Sequence, residues 1–273
     1  MSVSLQFENL RIEGSSRAGD ASWFRIHPPG LAFDVGRGSL ALAGADDVFL
    51  THGHLDHALG LPFVLSLKEM QGVESTRVFC PAGTVEGLRR LVEAAESLER
   101  VSYHYELQGL EPGDQVSVGR DLSVEAFATD HVVPSLGYHL VRDRRQLREP
   151  FRNRSASELA ELRSNGTEIE DVNQELWVTY CGDTGTGVFE LEPRLFDSTV
   201  LLLECTFFGE ASRSRGQRFK HLHLSDLADR VQQFRNRDLV LHHASWRFDK
   251  TQIRSAVEQE LRGLEPRVHL LMD

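Results

Sequence analysis

Apolar and polar positions alternate along this chain in two periods, and the switches between them predict its elements. Val3 to Ile12 alternates in twos and predicts one edge or half-buried strand. Ser22–Ile26 and Leu31–Asp34 predict two more, turned by Pro28-Pro29-Gly30, and the apolar run Val48-Phe49-Leu50 reads as a buried strand. A helical pattern covers Leu59 to Met70, Arg77–Cys80 is a short strand, and Leu88, Leu91, Val92 and Leu98 mark one face of a helix from Thr84 to Leu98. Strands dominate from Val101 to Val141, with a turn at Pro112-Gly113-Asp114 and clean alternation over Leu122–Phe127.

Arg142 to Asn173 breaks this pattern. It holds few residues able to enter a core and one short helical stretch, Ser157–Leu162, with Ser155 or Ser157 as cap, so it reads as a surface insertion. Regular order resumes with strands at Leu176–Tyr180 and Thr199–Leu203, a helix at Leu224–Phe234 and a strand at Leu239–Leu241. A helix at Lys250–Leu261 and a strand at Arg267–Leu271 complete it. Strands followed by helices in both halves predict an α/β protein with a layered αββα sandwich. We expect one domain over residues 1–273 with an insertion at about 142–173, because no fixed-period repeat and no linker divides the chain.

Composition narrows the function classes. With 40% hydrophobic and 26% charged residues the chain reads as globular, and a formal charge of -11 does not favour a protein that coats nucleic acid non-specifically. Charge is nonetheless clustered: Arg142, Arg144, Arg145, Arg148, Arg152 and Arg154 in one stretch, Arg213, Arg215, Arg218 and Lys220 in another. Both read equally well as solvated loops or as a surface for an anionic substrate. Cys80, Cys181 and Cys205 lie in or beside strand-like runs, which predicts reduced thiols in a cytoplasmic protein. The N-terminus has no basic start or apolar signal-like core, and no run reaches the length of a membrane span, so no membrane partner is expected.

The chemistry concentrates where the run Val48–Leu50 gives way to His52-Gly53-His54-Leu55-Asp56-His57. Residues two apart in an extended segment point the same way, so His52 and His54 can present imidazoles to one ion. Asp56 and His57, where the chain curls into a helix, can aim at a second. Two metals about 3.5 to 4 Å apart suit hydrolysis, because together they acidify a water and clamp the displaced oxygens. Four further strand ends carry ligating residue types: His131, Asp183, Glu204 and the pair His242-His243. Singly, His131 or His243 reads as a structural histidine and Asp183 as a helix cap. Together they number what a dinuclear site needs.

These residues resemble the metallo-β-lactamase superfamily and, within it, the ribonuclease Z branch of tRNA 3′-end endonucleases. The superfamily's first motif is matched by His52, His54, Asp56 and His57, and Phe33-Asp34-Val35-Gly36 is similar to the segment upstream of it. His131 before Pro134-Ser135 and Gly137-Tyr138, and Asp183 in Tyr180-Cys181-Gly182-Asp183-Thr184, are similar to the next two motifs. Leu203-Glu204-Cys205-Thr206-Phe207, His223-Leu224-Ser225-Asp226 and His243-Ala244-Ser245-Trp246-Arg247-Phe248 resemble three blocks of the ribonuclease Z branch. The resemblance implies the four-layer sandwich and two zinc ions, with manganese or iron as alternatives. It implies His52, His54 and His131 on one ion, Asp56, His57 and His243 on the other, and Asp183 bridging. It further implies Glu204 orienting His223, which protonates the leaving oxygen, and Asp56 guiding the nucleophile's proton. His221 matches no family role and reads as a loop residue.

The expected activity is thus metal-dependent phosphodiester hydrolysis at the 3′ end of precursor tRNA, in a family whose usual state is a homodimer, though no stretch here identifies an interface. Arg142–Asn173 lacks the Gly-Pro cluster of the family's tRNA-gripping arm, its only glycine being Gly166. That keeps small phosphodiesters such as cyclic nucleotides open as an alternative substrate. Thioester or lactone hydrolysis is the third reading, and it has no use for Glu204 and His223.

Overall fold

The computed structural model describes residues 2–272. Its centre is a pair of seven-stranded sheets, each laid down in chain order. The first holds β1 (Val3–Phe7), β2 (Leu10–Arg17), β3 (Ala21–His27), β4 (Leu31–Phe33), β5 (Asp47–Phe49), β6 (Thr76–Pro81) and β7 (Tyr105–Leu110). The second holds β8 (Gln115–Gly119), β9 (Leu122–Ala128), β10 (Leu136–Leu147), β11 (Glu170–Tyr180), β12 (Val200–Glu204), β13 (Asp238–His242) and β14 (Arg267–Leu270).

Each sheet begins as antiparallel hairpins and ends parallel, from β4 to β7 in one and β11 to β14 in the other. Parallel neighbours need crossovers, and these supply the helices. They are α1 (Leu55–Ala58), α2 (Leu61–Met70) and α3 (Val85–Glu99) in the first half; α4 (Ala156–Ser164) lies in the insertion. The second half has α5 (Val188–Leu191), α6 (Arg213–Phe219), α7 (Leu224–Ala228) and α8 (Lys250–Glu260).

Three cores account for the four layers. Alternation in β12 and β13 sends Val200, Leu202 and Val240 between the sheets, where they meet Phe24, Phe33, Tyr138 and Tyr180. Leu201, Leu203, Leu239 and Leu241 face the other way, onto Ile253 and Val257 of α8. On the outside of the first sheet, Val48 and Val78 pack under Leu61, Val64, Leu88 and Val92 of α2 and α3. Phe33 stacks on Tyr138 and Tyr180 at 5.8 and 5.4 Å, just before Asp34 enters the site. Truncating so buried a ring to Ala costs about 3–5 kcal/mol and would loosen the site with it.

The structure departs from the sequence reading in four places. The single strand expected over Val3–Ile12 is a hairpin, with Phe7 paired to Leu10. The helix expected over Leu224–Phe234 stops at Ala228, and α6 lies where no helix was predicted. The surface insertion also carries strands that were not expected: β10 and β11 stay paired out to Leu147 and Glu170, past Arg142, where β9 ends its pairing. Beyond that point they form a two-stranded ribbon tipped by α4, whose cap is Ser155 in a reciprocal pair with Glu158. The three cysteines are buried and unpaired, and among the described residues no helix is long and apolar enough to cross a membrane.

Candidate active site

The ends of both sheets deliver their polar residues to one place. Five histidine rings and two carboxylates meet there, in two groups. In the first, one donor atom each from His52, His54, His131 and Asp183 lies within 4.8 Å of the others; in the second, the same holds for Asp56, His57 and His243. Asp183 touches both: its Oδ2 is 3.8 Å from His52 Nε2 and 3.3 Å from both His57 Nε2 and His243 Nε2. The seven side chains expected as ligands are therefore brought together.

Their outer hydrogen bonds fix the ring tautomers. His57 donates from Nδ1 to Asp34 Oδ2 at 2.7 Å. Thr51 gives its hydroxyl proton to the same carboxylate, so His52 Nδ1 donates to Thr51 Oγ1, at 3.0 Å. Thr206 gives its proton to Glu204 Oε2 at 2.5 Å, so His243 Nδ1 donates to Thr206 Oγ1 at 2.9 Å. His131 Nδ1 donates to the Lys220 carbonyl at 3.3 Å. Each ring then turns a bare Nε2 lone pair inward. His57 Nε2 faces His243 Nε2 at 3.4 Å, and His131 Nε2 faces His54 Nδ1 at 3.3 Å. His52 Nε2 and Asp183 Oδ1 are buried and have no hydrogen-bond partner among the described residues.

Lone pairs and carboxylates aimed at one another repel unless a cation lies between them, so this donor set fits divalent metal ions. Burial holds His52, His54 and His131 below their ordinary pKa, which keeps them unprotonated as ligands must be. Burial pushes Asp183 up, but its contacts with His243 and His57 outweigh that; His57 is itself raised, against its burial, by Asp183 and Asp34, so in the metal-free site a proton stands where a cation would.

Backbone geometry is strained to achieve this. Asp34 and His243 both take left-handed conformations, with φ 54° and 63°, where few side-chain-bearing residues sit. Asp34 repays its conformation by accepting from Thr51, His57 and, at 2.7 Å, the Tyr180 hydroxyl. Gly182, before Asp183, must be glycine: a Cβ there would meet the Thr51 side chain at 2.8 Å. The tip of the β2–β3 hairpin reaches in as well, with Gly19 N–H donating to Asp56 Oδ2 at 2.8 Å.

Glu204 and His223 are not partners, contrary to expectation. Glu204 Oε1 accepts from His221 Nδ1 at 2.7 Å and from the Thr184 N–H at 2.9 Å. His223 instead caps α7: its Nδ1 accepts from Ser225 N–H at 3.1 Å and its Nε2 donates to the Gly209 carbonyl at 3.0 Å. The left-handed Lys220, φ 54°, leads into His221, which enters the site, whereas the start of α7 takes the His223 ring as its cap. His221 stacks on His243 with centroids 5.4 Å apart. Burial lowers its pKa, but Glu204 more than compensates, lifting it to about 9, so the ring is an imidazolium at neutral pH. Thr206, which ties Glu204 to His243, was also missed as a functional residue, because a hydroxyl in a strand-end block carries no signal until its partners are known.

These groups line an open cleft of about 450 Å³ whose walls also carry Phe207, Arg215, Phe219, Ser245 and Arg247. Three comparisons place the chain among known proteins. A family model described as a beta-lactamase superfamily domain matches residues 20–244. The chain is 29% identical to tRNase Z TRZ1 of Arabidopsis thaliana over 271 residues, 98% of this chain and 97% of that one. It is 30% identical over 257 residues to the chloroplastic tRNase Z TRZ2 of the same plant, 93% of this chain and 72% of that one. The crystal structure of the short form of human tRNase Z superposes with a TM-score of 0.63, covering 95% of each chain at 21% identity.

Proposed function

From the premise that this chain belongs to the beta-lactamase superfamily and, within it, to the tRNase Z group, we propose that it is a dinuclear metal-dependent phosphodiesterase that cuts precursor tRNA at the 3′ end of the tRNA body. The observation that carries this reading is the joint geometry: seven donors with their lone pairs turned inward, beside a Glu204–His221 pair at the cleft wall.

His52, His54 and His131 would hold one ion and Asp56, His57 and His243 the other, with Asp183 between them. When bound, such a pair supplies Lewis-acid polarisation of the phosphodiester and a water acidified for attack on phosphorus. Zinc fits the nitrogen-rich donor set, and manganese or iron also accept it.

The remaining steps belong to the protein's own groups. Attack forms a new P–O bond and breaks the bond to the O3′ of the tRNA body. That oxygen leaves with a proton from the His221 imidazolium, giving a 3′-hydroxyl on the body and a 5′-phosphate on the trailer. Glu204 holds the ring at the wall and keeps it charged until transfer. Thr206 links Glu204 to His243, so the acid and the ligand cluster are built on one hydrogen-bonded chain. Asp56, held by the Gly19 amide, is placed to guide the proton of the attacking water.

The test is a cleavage assay on a precursor tRNA, run beside a chromogenic diester and a cyclic nucleotide, with metal content measured on the same sample. Precursor cleavage lost on chelation and restored by zinc or manganese is expected. Preference for the cyclic nucleotide would overturn the tRNA assignment, and full activity in a metal-free sample would overturn the mechanism.

A further inference from the structure

The cleft wall next to His221 carries side chains that the mechanism above does not use. Phe219 is 44% exposed although it is a large aromatic, and it lines the cleft rather than packing into a core. Arg215, one turn earlier on α6, lines the same wall and pairs with no carboxylate among the described residues. The Arg218 guanidinium sits over the Phe219 ring, 5.3 Å from its centroid. Such a ring-and-guanidinium platform is how proteins hold an unpaired base and the phosphate beside it.

Its position is not incidental. His221 N–H donates to the Gly216 carbonyl at 3.0 Å, and a Cβ at Gly216 would strike the His221 carbonyl at 2.9 Å. Helix α6 is thus pressed against the segment bearing the acid, with only the left-handed Lys220 between Phe219 and His221. A nucleotide whose O3′ receives the His221 proton thus lies in the cleft that Phe219 also lines.

We propose that α6 is a nucleotide subsite: Phe219 stacks the base on the 5′ side of the cut, and Arg215 holds the phosphate preceding it. This rests on the tRNA-cleaving reading and names the residues that choose where the cut falls. Stacking at Phe219 requires that base to be unpaired. The last base of the tRNA body, beyond the acceptor stem, meets that condition, and bases within the stem do not.

The experiment crosses variants of the whole enzyme with altered substrates. Phe219→Ala should raise KM for precursor tRNA about ten-fold or more, with kcat and hydrolysis of the chromogenic diester little changed, and Phe219→Trp should restore KM. A precursor made abasic 5′ of the cut should cost the wild type a similar factor and cost Phe219→Ala almost nothing further. Equal losses on both substrates, or abasic and Phe219→Ala effects that multiply in full, would overturn the subsite. If the wild type hydrolyses only the diester, the tRNA reading fails. The subsite is then judged by fluorescence anisotropy with a short 2′-O-methyl oligonucleotide: weaker binding by Phe219→Ala, restored in Phe219→Trp, supports it, and equal affinity of all three overturns it.

Discussion

Two arginine-rich stretches of this chain look alike in composition and differ in what their charge can reach. On the β10–β11 ribbon, Arg142 and Arg144 share Glu175, Arg145 pairs with Asp121, and Arg148 pairs with Asp171 and Glu168. Arg154 pairs with Glu158, and Arg142 also lies over Trp177, 4.1 Å from the ring centroid. Around α6, by contrast, Arg215 and Arg218 have no acidic partner among the described residues, Arg213 reaches Asp229 only at 3.9 Å, and Lys220 alone is closely paired, with Asp130 at 2.7 Å. A hollow of about 730 Å³ beside the ribbon is lined by Arg145, Arg148 and Arg163, but all three are already paired. The ribbon neutralises itself except at Arg152, whose Nε donates to the Leu147 carbonyl at 3.4 Å. Arginines opposite acids on a neighbouring strand hold a hairpin in register, whereas arginines facing a cleft are free to meet a polyanion.

The strongest way to break this contrast is at the cleft itself. His221→Ala should lower turnover on precursor tRNA on the order of 10² to 10⁴-fold while metal content stays that of the wild type. His223→Ala removes only a helix cap, so it should cost about 1 kcal/mol of stability, read as a lower melting temperature, with turnover changed far less. Comparable losses of turnover in the two variants would reverse the assignment made from the Glu204 hydrogen bond.

The salt dependence of RNA affinity sharpens the comparison of the arginines. Removing a phosphate-contacting cation should reduce the slope of log K against log salt by about 1. Arg215→Ala is expected to do so and Arg145→Ala is not, and equal slopes in the two would mean that the ribbon also contacts the RNA. The smallest effect belongs to acid. Burial acts against Glu175, but Arg144 and Arg142 hold its pKa down at about 2, below the ordinary 4.5. A depressed carboxyl contributes stability that is present above the unfolded value and lost as pH falls through the folded one. Proteolysis within the ribbon should therefore quicken between pH 4.5 and 2 in the wild type, and do so less in Glu175→Gln. A ribbon whose cleavage rate ignores pH in that window would show that the pairs do not order it.

Legibility in the sequence followed burial. The layers could be read because β12 and β13 alternate between two cores, and the cluster because ligating residues crowd the turn after Phe49, where a solvated loop would carry no such set. The segment was read as a surface insertion with one helix, but its strands were not read, because with neither face covered no apolar period betrays them. Helix α6 was invisible for a similar reason, its sequence Arg-Ser-Arg-Gly-Gln-Arg-Phe having no buried stripe. His221 and His223 stand in one His-Leu-His run, and composition cannot say which ring faces Glu204. That choice is made by the start of α7, which takes the His223 ring as its cap and leaves His221 to Glu204.

The order in which the ligand cluster is strung along the chain has a consequence for synthesis. His52 leaves the ribosome early, while His243 follows about 190 residues later. At roughly 5–20 residues per second, the nascent protein exposes an incomplete set of imidazoles for on the order of ten seconds or more. At first only His52, His54, Asp56 and His57 are available, with Asp34 and Thr51 already able to orient two of those rings, and His131 and Asp183 follow before His243. The last ligand directly follows β13, so the finished centre cannot load until all but the last strand of the second sheet has been made.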